Sequence, residues 1–242
     1  MNQQLQIKAA KSQAEQSAGA NGRAVAALSV SGDDDLSARQ QEVLAVVLDL
    51  MVEAGDGFSM AKVCRRASCS KETLYNWFGD RDGLLTATVQ WQAAKVRMPG
   101  FDEKNLTAES FKQGLVAYAV SWLEVISGDV SAALNRMAVS QAGSGTSRLG
   151  EIVLENGPLA MRRRLRPIFE TGERAGLIHL ENVEDALRNF FGLVVADWQI
   201  RKLLGEATRP SANGIQHTAE KAVGAFLALY GAENTNTEIK TH

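Results

Sequence analysis

The chain has 242 residues, 45% hydrophobic and 22% charged, and its 26 basic side chains against 28 acidic ones leave a formal net charge of −2. This is the balance of a globular protein of one large or two small domains, and it gives no global sign of nucleic-acid binding. Two cysteines argue against a disulfide-stapled secreted fold, no apolar run spans a bilayer and the first residues carry no signal-type apolar core, so a cytoplasmic protein without membrane contact is expected.

Residues 1–36, rich in Ala, Gln, Ser and Gly, are expected to form a disordered tail. Lys8, Lys11 and Arg23 are its candidates for a minor-groove arm, but Asp33, Asp34 and Asp35 beside the folded part would repel phosphate. The first helix follows with Ser37 as its N-cap. Val43, Leu44, Val47, Leu50, Met51 and Ala54 make one apolar stripe, ended by Gly55 and Gly57. This helix braces the next two, and Arg39 near its start is a candidate phosphate contact.

From Ser59 to Arg81 the pattern is two short helices around a tight turn. Met60, Val63, Cys64 and Ala67 recur at i, i+3, i+4, i+7 behind Ser59, an N-cap candidate. Ala67-Ser68-Cys69 forms the turn, Ser70 is the second N-cap, and Leu74, Trp77 and Phe78 give the second helix a buried face. Its other face shows Glu72 and Asn76, with Thr73 and Tyr75 on the shoulders and Lys71 at the amino end. Such groups bond phosphates and read base edges in a major groove. Lys62, Arg65, Arg66, Lys71 and Arg81 stand against Glu72 and Asp80, a local excess of positive charge. Cys64 and Cys69 fill slots that want small apolar groups and match no zinc spacing. They read as core thiols, with a redox pair across the turn as the alternative.

Ser70, Thr73-Leu74-Tyr75, Asn76-Trp77-Phe78, Arg81 and Leu84-Leu85 together resemble the DNA-binding domain of TetR-type transcriptional regulators. The departures are Ser68 where a glycine is usual, Cys69 for valine, Asn76 for histidine and Arg81 for lysine. Ser68 would cost stability if its site demands positive φ. The resemblance implies a helix-turn-helix head over 37–98, with the motif at about 59–78. The DNA-facing residues are then Arg39, Ser59, Ser70, Lys71, Glu72, Thr73, Tyr75, Asn76 and Arg81.

Asp80 is placed to cap a fourth helix, Arg81 to about Arg97, that links this head to the rest and would swing it. It stops at Pro99-Gly100. Beyond Leu106 the pattern is helical throughout. Phe111, Leu115, Tyr118, Trp122 and Ile126 form one stripe, a helix covers Asp129 to Gln141, and Gly143 to Gly145 break the chain. A short helix and Asn156-Gly157-Pro158 lead to a longer one ending at Gly176, which Pro167 should kink or split. Asn182, with Asp185 as a box-like partner, caps a helix carrying Leu187, Phe190, Phe191, Val194, Trp198 and Leu203. After a loop from Arg209 to Gly214, Ile215 to Tyr230 forms the last helix, and 233–242 is a disordered tail. Strand signals are absent, so the expectation is an all-α protein of about nine helices.

By the same resemblance, 101–232 would be an effector-binding and dimerisation domain. Trp91, Tyr118, Trp122, Met137 and Phe169 are its candidate ligand contacts. Phe190, Phe191, Val194, Val195, Trp198, Phe226, Leu227 and Tyr230 are its candidate dimer contacts. For each aromatic, ordinary core packing is the competing reading. Asp197 reads as a partner of Arg201. Arg162, Arg163, Arg164 and Arg166 read as a solvated surface, with an acidic ligand or acyl thioester as the alternative. The implied protein is a homodimeric repressor, released from a palindromic operator on double-stranded DNA by a small, largely hydrophobic ligand. A regulator or scaffold without an effector, or a helical enzyme, are the alternatives. His179, His217 and His242 are scattered and no catalytic motif occurs, so no enzyme, cofactor or metal is expected.

Overall fold

The computed structural model describes residues 36–54, 59–98, 100, 105–143, 145 and 147–232. The amino-terminal tail through Asp35, the glycines expected to end the first helix, Pro99 and the carboxy-terminal tail lie outside the described residues. The described residues form eleven helices and no strand, with one isolated bridge between Ile178 and Gly231. None of these helices alone is long and apolar enough to cross a membrane.

The helices are α1 (Ala38–Ala54), α2 (Met60–Arg66), α3 (Lys71–Phe78), α4 (Arg81–Ala94), α5 (Ala108–Ile126), α6 (Asp129–Gln141), α7 (Leu149–Asn156), α8 (Pro158–Arg174), α9 (Val183–Val195), α10 (Trp198–Leu203) and α11 (Ala212–Tyr230). Their starts are chemical. Ser37 and Gln40 cap each other reciprocally, with Gln40 N donating to Ser37 Oγ at 3.3 Å and Ser37 N to Gln40 Oε1 at 2.9 Å. Ser59, Ser70, Asp80, Thr107, Asn182 and Ser211 each accept a backbone amide of the first turn that would otherwise lack a partner.

Two apolar clusters hold the fold. One gathers Val43, Leu44, Val47 and Met51 of α1, Val63, Leu74, and Leu84, Leu85 and Val89 of α4 with Leu134, Met137, Leu149 and Ile152. The inner faces of α6 and α7 therefore complete the core beneath the first four helices. The other cluster centres on Phe111, Tyr118, Phe169, Phe190 and Phe226, where α5, α8, α9 and α11 meet.

Several details differ from the sequence reading. α8 runs unbroken through Pro167. The ring is on an exposed position and costs one backbone hydrogen bond, while Leu165 and Phe169 on either side are fully buried and hold the helix. Asp185 pairs with Arg188 at 3.1 Å, so no box forms with Asn182. α4 ends at Ala94, and α11 starts at Ala212 because Ser211 caps it through Gly214.

The single helix expected to be capped by Asn182 and to carry residues as far as Leu203 breaks at Ala196, whose φ is +42°. Contacts to α6 explain why the chain turns there. Arg136 donates to the carbonyls of Lys202 (2.7 Å) and Leu203 (3.1 Å), and Lys202 pairs with Asp129 at 2.9 Å. The Lys202 ammonium in turn holds the Asp129 carboxyl below its usual range.

Candidate nucleic-acid interface and effector cavity

The outward face of α3 is set by the burial of one residue. Leu74 is fully buried and Trp77 and Phe78 half-buried, which fixes the rotation of α3. Lys71, Glu72, Tyr75 and Asn76 then face outward on one side of the helix, Tyr75 being 48% exposed. The Ser70 and Thr73 hydroxyls bond each other at 2.9 Å, and Ser70 Oγ accepts from Thr73 N at 3.0 Å, so both are committed to the helix start. Ser59 does the same for α2 through Lys62 N at 3.3 Å.

Not all of the predicted DNA-facing cations are available. Arg39 directs its guanidinium to the carbonyls of Ala67 and Ser68 in the turn and to Glu42 at 2.5 Å, which makes it a brace for the turn. Arg66 forms a two-pronged pair with Glu53, at 2.6 and 2.7 Å, and that guanidinium holds the Glu53 carboxyl below its usual range. Arg81 lies 3.9 Å from Asp82. Among the described residues Lys62, Arg65 and Lys71 have no acidic partner within 4 Å, and Arg65 and Lys71 are exposed.

The turn carries a strained residue. Ser68 has φ +50°, the left-handed region where a glycine costs nothing. Cys64 and Cys69 are free thiols facing each other across this turn, and burial together with Cys64 pushes the Cys69 thiol up.

The predicted ligand contacts do not come together. Trp91 packs beside the cluster of the first four helices, with Lys95 Nζ 4.4 Å above its ring, and Met137 lies within that cluster. Tyr118 and Phe169 are fully buried in the other. The Tyr118 hydroxyl has no hydrogen-bond partner, and burial pushes its ionisation well up. Of the five, Trp122 lines a cavity.

That cavity, of about 80 Å³, sits where α4, α5, α6, α7, α8 and α10 converge. Val89, Val96, Trp122, Ile126, Leu134 and Met161 form its apolar wall, and Gln92, Ser131, Asn135 and Gln199 its polar one. Sequence reasoning passed over all four polar residues. Gln92 and Ser131 stand on buried positions of α4 and α6, the one signal that pointed to them. Gln199 faces inward only because the chain bends at Ala196.

The arginines of α8 divide: Arg163 is largely solvated, as expected, Arg164 and Arg166 are held by partners, and Arg162 Nε is buried with no hydrogen-bond partner among the described residues. Arg164 donates to the carbonyls of Ala93 (3.2 Å) and Val96 (2.9 Å) at the end of α4. Arg163 bonds Glu155, Arg166 pairs with Glu170 and Glu184, and Arg162 lies over the Phe191 ring. Asp197 pairs with Arg201 at 3.6 Å.

Of the predicted dimer residues, Phe190, Phe191, Val194 and Phe226 lie inside the core of the single chain, while Val195, Trp198, Leu227 and Tyr230 pack at its edge. The outer face of α9 and α11 instead shows Asn189, Gly192, Gly224, Ala225, Ala228 and Leu229, with Asn189 bonded to the Tyr230 hydroxyl at 2.6 Å. A Cβ at Gly192 or Gly224 would meet nothing within 4 Å of the same chain.

Residues 113–232 match the family described as AefR-like transcriptional repressor, C-terminal domain. No curated protein matches the chain. The solved structure of a TetR transcriptional regulator from Agrobacterium tumefaciens is 42% identical, covering 84% of this chain and all of that one, with a TM-score of 0.71. The flavonoid-responsive regulator FrrA is 21% identical over 80% of this chain and 97% of its own, with a TM-score of 0.60. FadR from Bacillus subtilis in complex with stearoyl-CoA is 14% identical over 78% of this chain and 97% of its own, with a TM-score of 0.59. The last two are similar in fold alone.

Proposed function

The chain belongs to the TetR family of transcriptional regulators, and on that premise we propose that it is a cytoplasmic, homodimeric repressor, released from a palindromic operator by a small, largely hydrophobic ligand. The observation that carries the DNA reading is the face of α3. Four side chains able to bond phosphates or base edges stand outward together, opposite a fully buried Leu74. Lys71 and Tyr75 would hold phosphates, while Glu72 and Asn76 would read bases.

Two heads are needed to occupy successive major grooves, and the outer face of α9 and α11 supports the pairing. Its small residues let a partner's helices approach closely. Effector release works through α4. Its far end is tied to α8 by Arg164, to α5 by the Arg97 N–Ser121 Oγ bond at 2.9 Å, and to α7 by Gln90–Asn156 at 3.0 Å. A ligand that favours a different spacing of those helices shifts the population away from the DNA-competent form.

The test is selection of duplexes from a randomised pool by the full-length protein, followed by mobility shift on the winners. A two-fold symmetric site is expected, and its preferred bases should change with Asn76→Ala. No retained duplex at low salt would overturn the reading.

A further inference from the structure

We propose that the effector is an organic monocarboxylate with an apolar body, and that Arg162 is the residue that takes its carboxylate. The inference rests on the effector reading above, and it names the ligand chemistry of that cavity and the side chain that selects it.

Arg162 is half-buried on α8. Its Nε is buried without a hydrogen-bond partner, and among the described residues no carboxylate lies within 4 Å of its guanidinium. It lies over the face of the Phe191 ring, with Cζ 5.7 Å from the centroid. Its neighbours differ, since Arg163 pairs with Glu155 and Arg166 with Glu170 and Glu184. An arginine keeps its charge when withdrawn from water, and a buried N–H of a charged group without an acceptor costs more than a neutral one. A carboxylate answers it with two parallel bonds, to Nε–H and a terminal N–H.

Arg162 adjoins the cavity. Met161, the residue before it, lines the void, and the Phe191 ring beneath it packs 4.2 Å from the ring of Trp122, which lines the void as well. Phe191 does not line it, so the two packed rings separate the void from the guanidinium. Tyr118 is placed in the same way. Its ring lies 6.2 Å from that of Trp122, it does not line the void, and its buried hydroxyl lacks a partner. Both unmet groups can donate, and a carboxylate only accepts.

The void of about 80 Å³ is well below the roughly 300 Å³ of a formed ligand pocket, so an effector must enlarge it. Turning Trp122 aside does so and joins the void to Arg162. The apolar body then lies against Ile126, Leu134 and Met161.

The local charge favours an anion. No Asp or Glu side chain lines the cavity. Lys95 Nζ bonds Oε1 of the wall residue Gln92 at 2.9 Å, and Arg164 donates to the carbonyl of Val96, another wall residue, at 2.9 Å. Two positive charges therefore stand beside the void in addition to Arg162. Gln92 stands on α4 and Val96 just past its end, so a ligand that enlarges the void bears on the helix that carries the head.

The experiment uses the full-length protein near neutral pH with three acids, 4-hydroxybenzoate, 4-hydroxycinnamate and octanoate, each beside its primary amide, and with stearoyl-CoA. Calorimetry measures binding without DNA, and fluorescence anisotropy measures release of a selected operator. At least one acid should bind, about tenfold tighter than its amide. Arg162→Gln should weaken that acid by about tenfold and leave the amide unchanged. Arg162→Lys, which keeps the charge, should restore part of the preference, and this separates a lost contact from a folding defect.

No binding by any of the acids overturns the proposal, as does an acid bound no tighter than its amide, or a loss in Arg162→Gln that acid and amide share. Tighter binding of stearoyl-CoA than of every acid overturns the carboxylate class. If an acid binds through Arg162 but leaves DNA affinity unchanged, the site stands and the release reading falls. Release of the operator by the amides alone does the reverse.

Discussion

Arg39 and Lys71 are both cations of the head, but Arg39 is bonded to the turn while Lys71 is exposed without an acidic partner, and one pair of variants tests the opposite jobs proposed for them. Arg39→Gln removes hydrogen bonds from the guanidinium to the Ala67 and Ser68 carbonyls and its pair with Glu42. A charged hydrogen bond contributes about 1.5–3 kcal/mol when shielded. The Arg39 side chain is 46% exposed, so solvent screening brings the loss to about 1 kcal/mol of stability. Loosening the turn lets α3 drift from its reading pose, and DNA affinity should fall by about fivefold, the equivalent of the same energy. The slope of log affinity against log salt should not change, since no phosphate contact is lost.

Lys71→Gln should leave the urea midpoint alone, weaken all sequences alike and reduce that slope by about one. Urea unfolding of both variants, with anisotropy titrations on a selected operator at four salt concentrations, decides. An Arg39→Gln protein of wild-type stability whose salt slope falls by one would make Arg39 a phosphate ligand and refute the bracing role.

Ser68→Gly should raise stability by about 0.5–1 kcal/mol, because relief of a left-handed residue outweighs the added freedom of the unfolded chain, whereas Ser68→Ala should be nearly neutral. Equal urea midpoints for the two variants would show that φ is not the cause. Gly172→Ala should cost about 1–3 kcal/mol, seen as a lower melting temperature, because its Cβ would lie 2.6 and 2.7 Å from carbons of the buried Phe111 ring. A wild-type melt would mean that the α5–α8 contact yields freely. The raised Cys69 thiol should stay protonated at pH 7, alkylate slowly with iodoacetamide and leave DNA affinity indifferent to hydrogen peroxide. A peroxide-induced loss of binding that Cys69→Ser abolishes would reinstate the redox switch.

The head was readable because its signals are local. An N-cap, an i/i+3/i+4 stripe and the polar side of a two-turn helix are all set within a few residues of one another, and Ser59, Ser70 and Asp80 all proved to cap. The strain at Ser68 was anticipated through the resemblance, which puts a glycine there. The cavity was not readable, because it is made by tertiary contacts. Aromatic residues mark bulk without marking which side faces a void, so Tyr118 and Phe169 fill the core while Gln92 and Asn135 line the space. The bend at Ala196 had no signal at all. Alanine favours helix, and the apolar pattern of Val194, Val195 and Trp198 runs straight across it. The same loss of direction applies to Phe190, Phe191, Val194 and Phe226, which fill the core of the single chain, since periodicity shows that a helix has an apolar face without showing whether its own chain or a second one covers it.

The proposed release has a mechanical route from the cavity to the head. Only Gly79 and Asp80 separate α3 from α4. Gly79 N closes the first helix on Tyr75 O at 2.8 Å and Asp80 caps the second through Gly83 N at 2.7 Å, so the two move as one piece. α4 has 14 residues, a rod of about 21 Å. Tilting it by about 10° around the end held by Arg164 carries the recognition helix roughly 4 Å, several times the tolerance of a hydrogen bond to a base edge. In the proposed dimer the two heads move in opposite senses, so their separation changes by up to roughly 8 Å against a half-site spacing of about 34 Å. On the proposed reading a small change in the spacing of the helices around the cavity suffices, and no part of either core has to unfold for the duplex to be released.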